Sequence, residues 1–107
     1  MNLPAVISDL VKAQEKFDNI AYANTFSETA IVYDEGRTHH GKTEIAKWIE
    51  GANKKYQTVM MPVSYEENGT ASILTAHTSG NFPGSPITLQ YHFQIENGLI
   101  QSLKITG

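Results

Sequence analysis

The sequence contains no cysteine, which excludes disulfide bonds, thiolate metal sites and cysteine nucleophiles together. It also lacks any run of about 18 consecutive apolar residues, so we expect no membrane-spanning helix and no membrane partner. The segment Met1-Asn2-Leu3-Pro4 has neither the basic region nor the long apolar run of a signal peptide. We therefore predict a cytoplasmic location.

Positive charge is also scarce. The chain has 8 Lys and Arg, which are scattered, against 11 Asp and Glu, and its net charge is −3. Nucleic-acid binding usually needs a clustered excess of basic residues, so we expect no nucleic-acid partner. The four histidines show no metal-binding spacing, and no glycine-rich phosphate loop, nucleophile elbow or paired-carboxylate motif is present. The sequence predicts no metal and no cofactor.

The N-terminal half combines helical and strand patterns. Apolar residues at helical spacing predict a helix over Leu3–Phe17, and Asp18 can cap a second helix over about Asn19–Thr25. Ala30–Asp34 predicts a strand, followed by a turn and a short return strand over Thr38–His40. A third helix, capped by Thr43, would bury one stripe of residues: Ile45, Trp48, Ile49, Ala52 and Tyr56.

From residue 58 onward the pattern predicts only strands. They cover Thr58–Glu66, Ala71–Phe82, Ile87–Glu96 and Leu99–Thr106, with Pro62 placing the first on an edge or at a bulge. Helices first and a sheet last predict one α+β domain over residues 1–107, in which a strongly curved mixed or antiparallel sheet wraps around the N-terminal helices as a cone-shaped barrel. Such a sheet tends to leave a concave apolar cavity.

Three motifs give the chain a resemblance to a known group of proteins. They are Phe26-Ser27-Glu28-Thr29-Ala30-Ile31-Val32-Tyr33-Asp34, then Gly41-Lys42-Thr43-Glu44-Ile45, then Tyr91-His92-Phe93-Gln94-Ile95-Glu96-Asn97-Gly98. In order and pattern they resemble the nuclear transport factor two-like (cystatin-like) superfamily, and within it the SnoaL-like polyketide cyclases and the ketosteroid isomerases. The resemblance covers essentially the whole chain.

The resemblance implies a role for Asp34. In ketosteroid isomerases the aspartate that closes the first strand is the general base that moves a proton next to a carbonyl, and Asp34 is the matching residue. The oxyanion donors of those enzymes are not matched, because their tyrosine would fall at about Leu10 and their aspartate at Tyr91. The phenol of Tyr91 has the chemistry to donate to an oxyanion in their place.

Other interpretations of these residues stay open. Asp34 followed by Glu-Gly is also the ordinary opening of a turn, and it would then have no catalytic role. His39 and His40 are adjacent in a strand, so only one of them can face the cavity and act as a proton donor or relay. The other histidine would be exposed to solvent. Solvent exposure is also the simpler interpretation for each of the two histidines taken alone.

The predicted substrate-binding wall consists of aromatic residues and of small or apolar residues on the long strand: Phe17, Tyr22, Phe26, Trp48, Leu74, Ala76, Thr78 and Phe93. The more economical interpretation of the aromatic members of this set is that they are core residues, because aromatic residues at helical spacing pack far more often than they contact a ligand. Thr88, Gln90, His92 and Gln94 form a neutral polar face, together with His77 on the neighbouring strand. In the superfamily that the chain resembles this outer face often forms a dimer interface, so we expect it to mediate a homodimer.

Two functions follow from the sequence. One is a cofactor-independent isomerase, cyclase or lyase that binds a small apolar or carbonyl-containing molecule, with Asp34 as base and Tyr91, His39 or His40 as donor. The other is a non-catalytic ligand-binding or dimerisation module of the same fold.

Overall fold

The computed structural model describes residues 1–107. Its three helices are α1 (Ala5–Glu15), α2 (Asn19–Ala23) and α3 (Gly41–Tyr56). Its six strands are β1 (Phe26–Asp34), β2 (Arg37–His40), β3 (Val59–Asn68), β4 (Ala71–Ser79), β5 (Ile87–Glu96) and β6 (Leu99–Thr106). The predicted order of helices and strands is confirmed, and β1 begins four residues earlier than expected.

All six strands form one sheet in the order β2-β1-β6-β5-β4-β3. The pair β1 and β6 is parallel and every other pair is antiparallel. Register shifts in three of these pairs mark irregularities of the bulge type, which bend the strands they occur in. The sheet is therefore mixed and open, with β2 and β3 as its edges, and the predicted α+β class is confirmed.

Pro62 lies where the sequence placed it. Strand β3 is an edge strand, and its register against β4 shifts between Pro62 and Ser64. Because proline has no backbone N–H to donate to a neighbouring strand, an irregular edge position accommodates it without the loss of a hydrogen bond between strands.

The helices pack on one face of the sheet and close the core. The fully buried side chains include Ile7 and Leu10 of α1, Ile45 of α3, and Phe26 and Phe93 of the sheet. Helix α1 contacts β3 while α3 contacts β1 and β2, so the two helices cover opposite ends of the same face. None of the helices has the length and apolar character needed to cross a bilayer.

Two details of the helices differ from expectation. The residue that precedes α3 is His40, whose backbone N–H donates to Glu44 Oε1 at 2.8 Å, so the prediction that Thr43 caps this helix is wrong. Asp18 does cap α2, because its side chain accepts from the N–H of Ala21 at 3.0 Å. Phe17 has φ of 51° and is 42% exposed, so the prediction that it is a core residue is also wrong.

Candidate functional site

A cavity of about 860 Å³ lies between α3 and the inner face of the sheet. Its wall is built from buried side chains, among them Tyr22, Thr78 and Tyr91. Its rim consists of the exposed residues that also line it: Glu35, Arg37, Lys47, Gly51, Lys55, Ile87 and Gly107. The cavity thus has aromatic, apolar and polar side chains inside and charged ones at its opening.

Asp34 enters this cavity because of its position in β1. Residues Ala30, Val32 and Asp34 alternate onto the inner face, where the first two are fully buried and Asp34 is half-buried. The strand then turns through Glu35 and Gly36, which both have positive φ, as a two-residue hairpin turn of the primed type requires. The carboxylate is therefore placed at the edge of the apolar interior.

The indole of Trp48 holds this carboxylate. Trp48 Nε1 donates to Asp34 Oδ2 at 3.2 Å from the second turn of α3. The imidazole of His39 stacks on the same indole, with ring centroids 5.6 Å apart and an angle of 28° between planes. Both contacts restrict the orientation of Trp48, so Asp34 has a fixed partner on one of its oxygens.

Compared with an exposed aspartate, Asp34 lies in an environment that favours the protonated form of its carboxyl group. Burial is the largest cause and raises the pKa of Asp34 above its ordinary value of 3.8, and the charge of Glu35 adds to this. The hydrogen bond from Trp48 and the proximity of His39 act in the opposite direction without cancelling the rise in pKa. A carboxylate of this kind is a stronger base than one on the surface.

Two buried phenols share the cavity with Asp34. Tyr91 is 5% exposed and its hydroxyl lies 3.4 Å from Thr78 Oγ1, while Tyr22 is 3% exposed. Burial is the largest cause that raises the pKa of each phenol, and the charge of Asp34 raises both pKa values further. Both phenols therefore stay protonated at neutral pH and can donate a hydrogen bond to an oxygen in the cavity.

The histidines separate as the strand geometry requires. His39 lines the cavity and His40 is exposed outside it. His77 and His92 lie on the outer face, where they contact Thr88 Oγ1 at 3.1 Å and Thr106 Oγ1 at 2.9 Å. No three His, Asp or Glu side chains come close enough together to form a metal site.

Of the residues predicted to form the substrate wall, Tyr22, Trp48 and Thr78 line the cavity. Four others are buried in the core behind it, and Phe17 lies on the surface away from it. The four core residues are Phe26, Leu74, Ala76 and Phe93. Their side chains fill the space between helices and sheet, so they support the cavity without lining it.

Comparison with known proteins shows which family this chain belongs to. No family model matches the sequence, and no curated protein is similar to it. A structure described as a "putative polyketide cyclase" from Sinorhizobium meliloti is 36% identical, has a TM-score of 0.94, and the match covers 97% of this chain and 95% of that one. The chain belongs to this SnoaL-like polyketide cyclase family.

More distant structures share the fold of this SnoaL-like protein. A ketosteroid isomerase-like protein from Catenulispora acidiphila, in complex with trimethylamine, is 15% identical with a TM-score of 0.88; the match covers 99% of this chain and 87% of that one. A nuclear transport factor two-like protein from Cytophaga hutchinsonii is 17% identical with a TM-score of 0.78, and the coverage is 94% and 85%. The resemblance seen in the sequence is therefore confirmed: the 36% identical structure shows the family, and these two distant structures show the fold.

Three features of the site were not predicted from the sequence. The bond between Trp48 and Asp34 joins residues 14 positions apart in a strand and a helix, and no sequence spacing signals it. Tyr22 was assigned only to the wall, although its phenol is a second donor beside Asp34. The third feature is the pair of basic residues at the cavity opening, Lys47 and Lys55. The sequence does contain a signal for this pair, because both lie four residues from Gly51 and so fall on one stripe of a helix.

Proposed function

We propose that this SnoaL-like protein is an enzyme that moves a proton next to the carbonyl group of a small apolar molecule, with Asp34 as the general base. The observation that carries the proposal is a half-buried carboxylate, held by Trp48 at 3.2 Å and facing a cavity that also contains protonated phenols. Proton abstraction next to a carbonyl needs such a base together with a donor for the developing enolate oxygen.

The roles divide between the side chains. Asp34 takes the proton from the carbon next to the carbonyl, and the carbonyl oxygen gains the negative charge. Tyr91 donates to that oxygen while Thr78 Oγ1, 3.4 Å away, supports the phenol. In an isomerisation, the proton then returns from Asp34 to another carbon of the same molecule. In a cyclisation, the enolate carbon attacks a second carbonyl of the same molecule, and the alkoxide that forms there takes the proton back from Asp34. Both outcomes need no cofactor.

The test is exchange of carbon-bound protons into D₂O, measured by NMR on an aryl ketone, 4-oxo-4-phenylbutanoate, and on its neutral methyl ester. The wild-type protein should exchange the protons next to the ketone, and Asp34→Asn should slow this by about 10²–10⁴-fold, the usual contribution of a general base. Glu66→Gln, which neutralises an exposed acid on β3 outside the cavity, is the matched control and should leave exchange unchanged. Equal rates for wild type and Asp34→Asn would refute the proposal.

A second candidate is a binding protein for a small alkylammonium ion. The rings of Tyr22 and Trp48 lie 6.1 Å apart beside the carboxylate of Asp34, and aromatic faces with a carboxylate attract such cations. The structural neighbour in complex with trimethylamine supports this alternative. Quenching of Trp48 fluorescence by trimethylammonium, without any proton exchange in the ketone probes, would favour the binding protein over the enzyme.

We also propose that two copies associate through the outer face of the sheet. Strand β5 presents Thr88, Gln90 and Gln94 on this face as exposed, uncharged side chains. A neutral polar surface loses less hydration energy on association than a charged one. Sedimentation should show a dimer at micromolar concentration, and a monomer would contradict this assignment.

A further inference from the structure

The cavity opening is mainly positive, although the chain as a whole has a net negative charge. The whole chain has 8 basic and 11 acidic residues, yet the residues that line the cavity include three basic ones and two acidic ones. One of those acids is Asp34, whose raised pKa and half-buried position assign it to the interior. The rim itself therefore has one acid, Glu35, against three bases.

The three basic residues, Arg37, Lys47 and Lys55, form what we call the cationic rim. None of them takes part in an ion pair; the two ion pairs of the chain use Lys42 and Lys54, which lie outside the cavity. Lys55 Nζ lies 5.1 Å from the centre of the Tyr56 ring, a residue that lines the cavity. The cationic rim thus carries three unpaired positive charges beside the opening.

Gly51 separates the two lysines on α3. Lys47 and Lys55 are eight residues apart, so their backbones are about 12 Å apart along the helix, with Gly51 midway. A Cβ added to Gly51 would meet no atom within 4 Å, and its φ is not positive. Neither packing nor backbone geometry requires glycine here, although glycine inside a helix is less favourable than alanine. The result is an open notch at the cavity rim between two positive charges.

We propose that the ligand of this cavity carries an anionic group, in the simplest case a carboxylate, which sits in the notch at Gly51 between Lys47 and Lys55. Arg37, on the hairpin that follows Asp34, adds a third positive charge. This inference rests on the proposed function, because it takes the cavity as the ligand site, and it narrows the substrate class to carbonyl compounds with an acidic group. The apolar body and the carbonyl occupy the aromatic interior.

The experiment compares two ligands that differ in one charge, 4-oxo-4-phenylbutanoate and its methyl ester. Binding is measured through the fluorescence of Trp48, the only tryptophan of the chain, which lines the cavity. The double variant Lys47→Gln/Lys55→Gln removes two charges of the rim, and Lys42→Gln/Lys54→Gln removes two lysines of the same helix outside the cavity. The wild-type protein should bind the acid about 3- to 10-fold more tightly than the ester, in line with exposed ion pairs acting together.

Three results decide the matter. The preference for the acid should disappear in the rim variant, persist in the control variant, and weaken from 50 to 500 mM salt because salt screens exposed charges. Equal affinity of wild type for acid and ester would overturn the inference and leave the proposed function standing. A charge-dependent preference without proton exchange would support the anion site and refute Asp34 as base. Absence of Trp48 quenching by either ligand would overturn the inference.

Discussion

Replacing Gly51 with alanine should make the protein more stable and its ligand site weaker. Gly51 is the eleventh of 16 residues in α3, it is exposed, and an added Cβ meets nothing within 4 Å. The expected gain is therefore the intrinsic difference in helix propensity, about 0.8–1 kcal/mol. For a chain of 107 residues, that corresponds to a rise in melting temperature of about 4 °C.

The measurement is thermal unfolding by circular dichroism at pH 7, together with the Trp48 titration. Gly51→Ala should raise the melting temperature and lower the affinity for the carboxylate ligand. Gly80→Ala is the matched control, since its Cβ would lie 2.6 Å from the backbone oxygen of Tyr56. This contact forces a shift of the backbone and should cost about 1–3 kcal/mol. A Gly51→Ala protein that is no more stable, or that binds the acid as tightly as wild type, would refute the reasoning about the notch.

Three further predictions concern the site. Asp34→Asn should raise the melting temperature at pH 7 but not near pH 3.5. The pKa of Asp34 in the folded state lies above its unfolded value of 3.8. The stability that the protonated carboxyl contributes is therefore complete below pH 3.8 and is lost as the pH rises through the folded-state pKa. Trp48→Phe removes a hydrogen bond that lowers this pKa, so the pH profile of proton exchange should move to higher pH, and an unchanged or lower profile would contradict the geometry. Tyr91→Phe should slow exchange by about 10²–10³-fold, the usual cost of losing one donor to an oxyanion, with the circular dichroism spectrum as the check on folding; an unchanged rate would assign the donor role elsewhere.

The fold was predictable because its signals are local and repeated along the chain. Alternation in β1 and β5, the turn at Glu35-Gly36 and the proline in β3 each follow from backbone chemistry within a few residues. The parallel pairing of β1 with β6 joins residues about 70 positions apart, and no local sequence pattern predicts it. The first residue of α3 was also missed, because Glu44 reaches back to the N–H of His40 and no short capping residue is used.

The candidate site was predictable only in part. The face of β1 indicated where Asp34 points, and strand alternation required that His39 and His40 separate. The sequence could not distinguish Phe26 and Phe93, which are buried in the core, from Tyr22 and Trp48, which line the cavity. That distinction depends on how α3 crosses the sheet, which side-chain packing decides. The single domain over residues 1–107 and the cytoplasmic location stay predictions.

The central claim is that Asp34 is a partly desolvated base, and the most direct test is its pKa. Carboxyl-carbon NMR titration of the wild-type protein should give a pKa for Asp34 above the ordinary 3.8. In the Trp48→Phe variant, the pKa should be higher still. A wild-type value at or below 3.8 would mean a solvated turn residue, and it would contradict both the role of Asp34 and the function proposed for the cavity.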